Sequence, residues 1–302
     1  MYKFSNLNQA LIGMSKELLE KGVERKTRGF SCVEIPHPVQ ICIENPTDRY
    51  INIPERKWNK TFGWVESLWI ASGTNHMGLV TPYVKNMENF SDDKKFMRAA
   101  YGTRIRSFNQ SFKDYKISEP LSGVGIDQFR FVIETLKKDI NSRQALITIH
   151  DVNKDDFEHG KLKVTKDQPC CRSLQFMMVD GKLDCTLLVR SNDLIWGLSA
   201  VNIFNFTLIQ EYIANILGVE VGKYYHFANN LHYYSNFKDK IEVFADLDPN
   251  LYPTHEKWQY KSKIESLEDF DRLLLELFYY EKELRNKGTE GLMDFKNDMF
   301  ND

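Results

Sequence analysis

Cys170, Arg190 and Ser191 are the residues whose types and spacing point most directly to chemistry. Residues 174–179 and 183–189 are β-rich runs on either side of Asp180-Gly181, a dipeptide that closes tight hairpins. With the turn on those two residues, Val179 faces Lys182. An ungapped count then sets Cys171 opposite Arg190 and Cys170 opposite Ser191. A fixed cation beside a thiol favours the thiolate, and a guanidinium also holds a phosphate. A nucleophile next to a phosphate anchor points to covalent chemistry on a nucleotide. The ungapped count leaves Cys170 and Arg190 on adjacent rungs, which regular pleating sends to opposite faces. A β-bulge would re-aim one of them. The plainer alternative is a half-buried hairpin cysteine.

The elements that must position these groups follow from apolar spacing. Leu7, Leu11, Met14 and Leu18 make one stripe of a helix over 6–21, stopped by Gly22. Strands are expected at 30–35 and 39–43, broken by Pro36 and Pro38. Phe62, Val65 and Trp69 place a helix over 59–72, with Glu66 inside its pattern. Residues 76–96 read as polar and irregular, 124–140 as a helix, 145–150 as a strand and 152–168 as a charged loop. The helix over 202–217 is apolar enough to be buried. Aromatic segments at 224–227 and 231–234 and a last amphipathic helix over 266–286 complete the chain. Strands and helices mixed without βαβ regularity give one α+β domain over 1–302.

A formal net charge of −2 over 302 residues supplies no global basic field for nucleic acid or membrane binding. No run of 18 apolar residues occurs, so no transmembrane helix is expected, and the N-terminal residues lack a signal-peptide core. The five cysteines, Cys32, Cys42, Cys170, Cys171 and Cys185, have no metal-ligand spacing. An odd, sparse set fits a reducing cytoplasm, with no disulfide framework and no metal.

Taken in order, the motifs resemble the thymidylate synthase family across most of the chain. Glu66-Ser-Leu-Trp69 with Gly73-Thr-Asn75, Ala100-Tyr101-Gly102, Asn141-Ser-Arg143, Pro169-Cys170 with Gln175-Phe176, Arg190-Ser191-x-Asp193 with Gly197-Leu198, Asn202-Ile203, Val219-Glu-Val-Gly222, and His232-x-Tyr234-Ser-Asn236 each match a family segment. The resemblance implies a mixed sheet packed with helices, a homodimer with shared active sites, and two substrates, a pyrimidine nucleotide and 5,10-methylene-tetrahydrofolate. It assigns nucleophilic addition to Cys170 and proton relay to Glu66 and Tyr101. Arg190, Ser191 and a partner-subunit Arg143 would hold the phosphate. Asp193 and Gly197 would position the folate, Asn202 would face the base, and His232 and Tyr234 would bind the sugar. Arg28 is the choice for the N-terminal phosphate loop, with Arg25 and Lys26 as alternatives.

Departures from the family pattern bear on the reaction. Cys171 replaces the usual histidine after the nucleophile, and Arg143-Gln144 replaces a pair of arginines. Residues 84–90 lack the family's folate-site tryptophans, and Phe300-Asn301-Asp302 does not resemble its closing tail. Arg190-Ser191-Asn192-Asp193 resembles instead the pyrimidine nucleotide hydroxymethylases of the same superfamily, which add water where thymidylate synthases add hydride. The expected reaction is therefore C5 hydroxymethylation, with cytidylate preferred to uridylate as the base. A divergent thymidylate synthase is the alternative, and a non-catalytic nucleotide-binding protein the second. Counting from Arg190 without a gap puts Val201 at the base-reading position, so one residue is inserted before Asn202.

Overall fold

The computed structural model describes residues 1–27, 29–110, 114–115, 125–254 and 264–287. In chain order the elements are β1 (Tyr2–Phe4), α1 (Leu7–Lys21), β2 (Val23–Thr27), β3 (Phe30–Glu34), β4 (Val39–Ile43), α2 (Lys60–Ala71), α3 (Tyr101–Arg106), α4 (Gln128–Lys138), β5 (Leu146–Thr148), α5 (Val152–Asp155), β6 (Phe157–Glu158), β7 (Lys161–Leu162), β8 (Cys171–Val179), β9 (Lys182–Val189), β10 (Asn192–Asp193), a π-helix (Leu194–Asn202), α6 (Ile203–Leu217), β11 (Glu220–Ala228), β12 (Leu231–Tyr234), α7 (Lys238–Ala245) and α8 (Leu267–Lys287). A six-stranded mixed sheet runs β1-β4-β11-β9-β8-β5, and a smaller one runs β10-β12-β3-β2. The fold is α+β, as the mixture of periodicities requires.

Helix starts are set by side-chain caps. Asn6 Oδ1 accepts the Gln9 amide at 3.0 Å and Asn59 Oδ1 that of Phe62 at 3.0 Å, each satisfying an amide that the first turn leaves unpaired. Nearly all of α6 is buried. It packs against α2, α4, β9 and β11, so it is the core of the molecule and no surface helix. Leu174, Phe176, Cys185 and Leu187 face that core with no exposure. The opposite face of the sheet carries Leu146 and Met177, 41% and 36% exposed, beside half-buried Leu188, Tyr225 and Phe227. Among the described residues no helix is long and apolar enough to cross a membrane.

Two expectations change at the centre of the chain. The Asp180-Gly181 turn forms as expected, with φ of 51° and 77°, and Val179 pairs with Lys182. Positive φ at both positions is what a tight hairpin needs. The register then shifts. Ser173 pairs with Leu188, but Cys171 pairs with Val189 and not with Arg190. Arg172 is the extra residue of a β-bulge, so Cys170, not Cys171, lies opposite Arg190, and Ser191 is not its partner. The second change concerns the helix expected from residue 202. Its α-helical part starts at Ile203, and a π-helix leads into it. A π-turn closes over one more residue than an α-turn, which accommodates the residue inserted before Asn202.

Smaller differences lie at the edges. The helix expected over 124–140 is confined to Gln128–Lys138, capped by Asp127. The charged stretch 152–168 contains α5 and the β6–β7 ladder. Arg98 and Arg104 both bind Asp155 at 2.7 Å, all three fully buried, so this stretch is tied to the segment that carries Tyr101.

Candidate active site

The bulge decides what surrounds Cys170. The Arg190 amide donates to the Cys170 carbonyl at 2.9 Å. The Arg190 guanidinium donates through Nε to the Pro169 carbonyl at 3.1 Å and through Nη2 to that of Gln168 at 3.4 Å. The arginine is thus fastened to the peptides that lead into the cysteine, and its remaining N–H groups point elsewhere. Cys170 is half-buried, whereas Cys171 is fully buried. Burial pushes the Cys171 thiol well above its ordinary range, offset in part by a hydrogen bond with Tyr101. Of the two adjacent thiols, only Cys170 combines access with a cation in register.

Glu66 and Tyr101 lie on the helix side of the same neighbourhood. Desolvation raises the Glu66 carboxyl to about 7, against a lowering hydrogen bond from Asn205. The side chain keeps some solvent exposure, but its carboxyl is closely surrounded. Asn205 Nδ2 donates to Glu66 Oε2 at 2.7 Å, and Ser67 Oγ donates to Asn205 Oδ1 at 2.6 Å and lies 2.8 Å from the Gly63 carbonyl. Asn205 is therefore fixed in orientation by Ser67 and presents its amide N–H to the carboxylate. Tyr101 is held neutral by burial first, then by the nearby Cys171, Cys170 and Glu66. Its ring leans on Phe206 at 5.6 Å.

Asn230 joins two other residues of the expected site. Its Nδ2 donates to Glu34 Oε2 at 2.6 Å, which fixes the amide, and its Oδ1 lies 2.8 Å from His232 Nδ1 and 3.4 Å from Ser191 Oγ. A carbonyl oxygen can only accept, so His232 carries its proton on Nδ1. Glu34 also binds Arg25 Nε at 2.5 Å. His232 and Tyr234 pack edge to face at 5.3 Å. Asp193 starts the π-helix by accepting the Trp196 amide. Burial raises its carboxyl to about 6, with Arg56 and backbone amides opposing. Its second oxygen, Oδ2, is buried with no hydrogen-bond partner among the described residues. Gly197 follows Trp196, and a side chain there would collide with Asn192 Nδ2. Asn202, 6% exposed, ends the π-helix.

The placements differ for the remaining two residues. Arg143 is exposed, and its carbonyl accepts Gln175 Nε2 at 3.1 Å. It sits at the edge of the sheet face that carries Leu146 and Met177. Arg28 lies outside the described residues.

Residues 10–288 match the thymidylate synthase family. The chain belongs to that family. Three relatives are named deoxyuridylate hydroxymethyltransferase. That of Bacillus phage SP01 is 39% identical over 236 residues, covering 78% of this chain and 59% of the relative. That of Pseudomonas phage M6 is 33% identical over 249 residues, 82% and 65% of the two chains. That of Delftia phage PhiW-14 is 25% identical over 225 residues, 72% and 58%. The chain spans about three-fifths of the length of these relatives.

Within this thymidylate synthase fold, sequence reasoning missed Asn205, Asn230, Glu34 and Arg56. Asn205 lies three residues past Asn202, one turn along the same helix, and that spacing was the available signal. Glu34, in a strand that reads as apolar at its centre, is 4% exposed; a buried acid demands a partner. Arg56 carries no local signal, since its partners are distant in sequence, and Asn230, though two residues from His232, is fixed by the distant Glu34.

Proposed function

We propose that this chain, acting as one catalytic domain over 1–302, hydroxymethylates C5 of deoxyuridylate with methylene-tetrahydrofolate as co-substrate. One observation carries the reading above others: half-buried Cys170 lies opposite Arg190 across the bulge, beside Tyr101 and a carboxyl raised to about 7. C5 of a pyrimidine is a poor nucleophile. Addition of the Cys170 thiolate at C6 turns C5 into an enolate carbon able to attack an electrophile. Methylene-tetrahydrofolate supplies the one-carbon unit. Glu66, poised near neutral pH, exchanges protons with the base through water, and neutral Tyr101 guides removal of the C5 proton. Tetrahydrofolate leaves as the C5 proton is lost, water adds to the exocyclic carbon so exposed, and Cys170 is expelled; the balance is nucleotide, methylene-tetrahydrofolate and water in, hydroxymethyl nucleotide and tetrahydrofolate out.

Arg190 and Ser191 bind the phosphate, with Arg28 completing the N-terminal loop. Asn202 faces the base, and His232 and Tyr234 take the sugar hydroxyl. Asp193 and Gly197 hold the folate; the unpartnered Asp193 Oδ2 suits the N–H donors of a pterin. The relatives' names favour uracil, so the cytidylate preference drawn from the segment around Arg190 is set aside. Asn202, the residue type found in thymidylate synthases, also suits uracil; a second reading, methylation of the same nucleotide, is favoured by the thymidylate synthase family match.

We place the partner subunit against the sheet face of Leu146, Met177, Tyr225 and Phe227, with exposed Arg143 crossing to its neighbour's phosphate. The deciding experiment supplies methylene-tetrahydrofolate with dUMP, dCMP or CMP and weighs the product. Hydroxymethyl-dUMP with tetrahydrofolate is expected. Dihydrofolate formed in step with product selects the second reading, and turnover of dCMP alone overturns the base. Nucleotide binding with no release of C5 tritium from any substrate overturns catalysis. For the dimer, mixing Cys170→Ala with Arg143→Ala chains is expected to restore activity; no recovery after verified subunit exchange would return Arg143 to its own chain.

A further inference from the structure

The bulge leaves a second guanidinium beside Cys170 that the chemistry above does not use. Arg172 is the extra residue between Cys171, paired with Val189, and Ser173, paired with Leu188. Its carbonyl accepts the Ile149 amide at 2.8 Å and the His150 amide at 3.3 Å, so its backbone is anchored to the strand on the far side of β8. Its side chain is half-buried. Burial and the nearby Arg190 both act against its charge.

The acids within range are already taken. Asp155 is shared by Arg98 and Arg104, and Asp156 lies 2.8 Å from His150 Nε2. Among the described residues no hydrogen bond or ion pair reaches the Arg172 guanidinium. Two guanidiniums, that of Arg172 without a partner among the described residues, therefore lie close enough to each other and to Cys170 to interact electrostatically. Like charges brought together under partial burial repel, and an arginine left without an acceptor is unfavourable. A dianion bound between them would remove both penalties, because each fork donates charge-assisted bonds to phosphate oxygens.

We propose that Arg172 is a phosphate-binding residue that works with Arg190, so that the bulge delivers two cations from one chain to the phosphate of the nucleotide whose base Cys170 attacks. The inference rests on the nucleotide reading above. It differs in kind from the contribution of Arg143, which needs the other subunit.

The test uses the full chain and calorimetric titration with dUMP, deoxyuridine and inorganic phosphate. Arg172→Ala is expected to weaken dUMP and phosphate by more than tenfold, the loss of a charge-assisted bond, while binding of deoxyuridine stays within twofold. Arg172→Lys is expected to recover part of the phosphate affinity. The melting temperature of unliganded Arg172→Ala should match or exceed that of the parent, since a repulsion is relieved. If Arg172→Ala cannot be folded, Arg172→Gln keeps the stem and serves in its place. Phosphate and dUMP affinities within twofold of the parent, with Arg190→Ala losing tenfold in the same assay, overturn the inference alone. If the parent binds phosphate but no pyrimidine nucleotide, the nucleotide reading falls, and the Arg172 variants still decide the anion site. A parent that binds neither overturns both.

Discussion

Two stretches of this site each hold one residue more than a regular element accommodates, and the molecule treats them differently. In β8 the extra residue is Arg172, and the ladder absorbs it in a single step between Cys171 and Ser173. Before α6 the extra residue is spread over a nine-residue π-helix, Leu194–Asn202. The strand solution re-aims one side chain at the surface of the sheet. The helix solution shifts the phase of everything after it. That phase sets Asn202, and one turn later Asn205, which grips Glu66. A strand irregularity is thus a local device at one residue, the cysteine proposed as nucleophile, whereas a helical one sets Asn202 and Asn205 together.

The largest effect expected is at the bulge. Cys170→Ala should abolish both product and release of C5 tritium, while Cys171→Ala should retain both within about an order of magnitude, because a buried thiol held by Tyr101 has no access to C6. Inactive Cys171→Ala with active Cys170→Ala would mean that the nucleophile is the residue in register with Val189, and the bulge would lose its role.

The helical side is probed next through Glu66. Glu66→Gln should lower kcat by roughly 10²–10⁴, the usual worth of general acid–base catalysis. A pH series adds a sign. The native carboxyl titrates at about 7 against 4.5 for the free group, so between these values the native state binds more protons than the unfolded one. Stability conferred through this group is therefore full below pH 4.5 and falls as pH rises to about 7. Glu66→Gln should flatten that slope in urea midpoints, and an unchanged slope would show that desolvation at this carboxyl is weak.

Deleting Ala200 tests the π-helix itself. Removing one residue lets the segment wind as an α-helix and rotates what precedes it by about 100° relative to α6. A loss in kcat/KM of about a hundredfold is expected from such misplacement, with far-UV circular dichroism retained. Undiminished turnover would separate the π-helix from the site. Gly197→Ala should have the smallest effect. The new methyl meets Asn192 Nδ2, and crowding of this kind destabilises by about 1–3 kcal/mol. Urea unfolding measures it, and Asn192→Ala in the same chain should return part of the loss.

Much of the frame was legible because it depends on short-range rules. Helices α1, α2 and α6 follow from apolar spacing, and the Asp180-Gly181 turn with its Val179–Lys182 pair follows from turn chemistry. The candidate site residues come from ordered motifs, and all but Arg28 fall within the described structure. What escaped has one physical origin. Counting residues assumes uniform rise, and both Arg172 and the π-helix break that uniformity where distant residues bind them: Ile149 and His150 at the Arg172 carbonyl, and Arg56 and Trp58 at the Ile195 and Ala200 carbonyls. The Glu34–Asn230–His232 chain was hidden because it closes between β3 and the turn before β12, nearly 200 positions apart.

The strand order has a consequence for how the protein comes to exist. β11 lies between β4 and β9 and pairs with both. Roughly 180 residues separate β4 from β11, so at about 5–20 residues per second a ribosome needs roughly 10–40 s to make the strand that joins them. Until then β4 and the β8–β9 hairpin wait as separate edges for β11, the hairpin with an apolar face that α6 covers. Nascent chains stalled before Glu220 should engage chaperones, and those stalled well past Ala228 should not, so expression at lower temperature or with added chaperones acts on this interval.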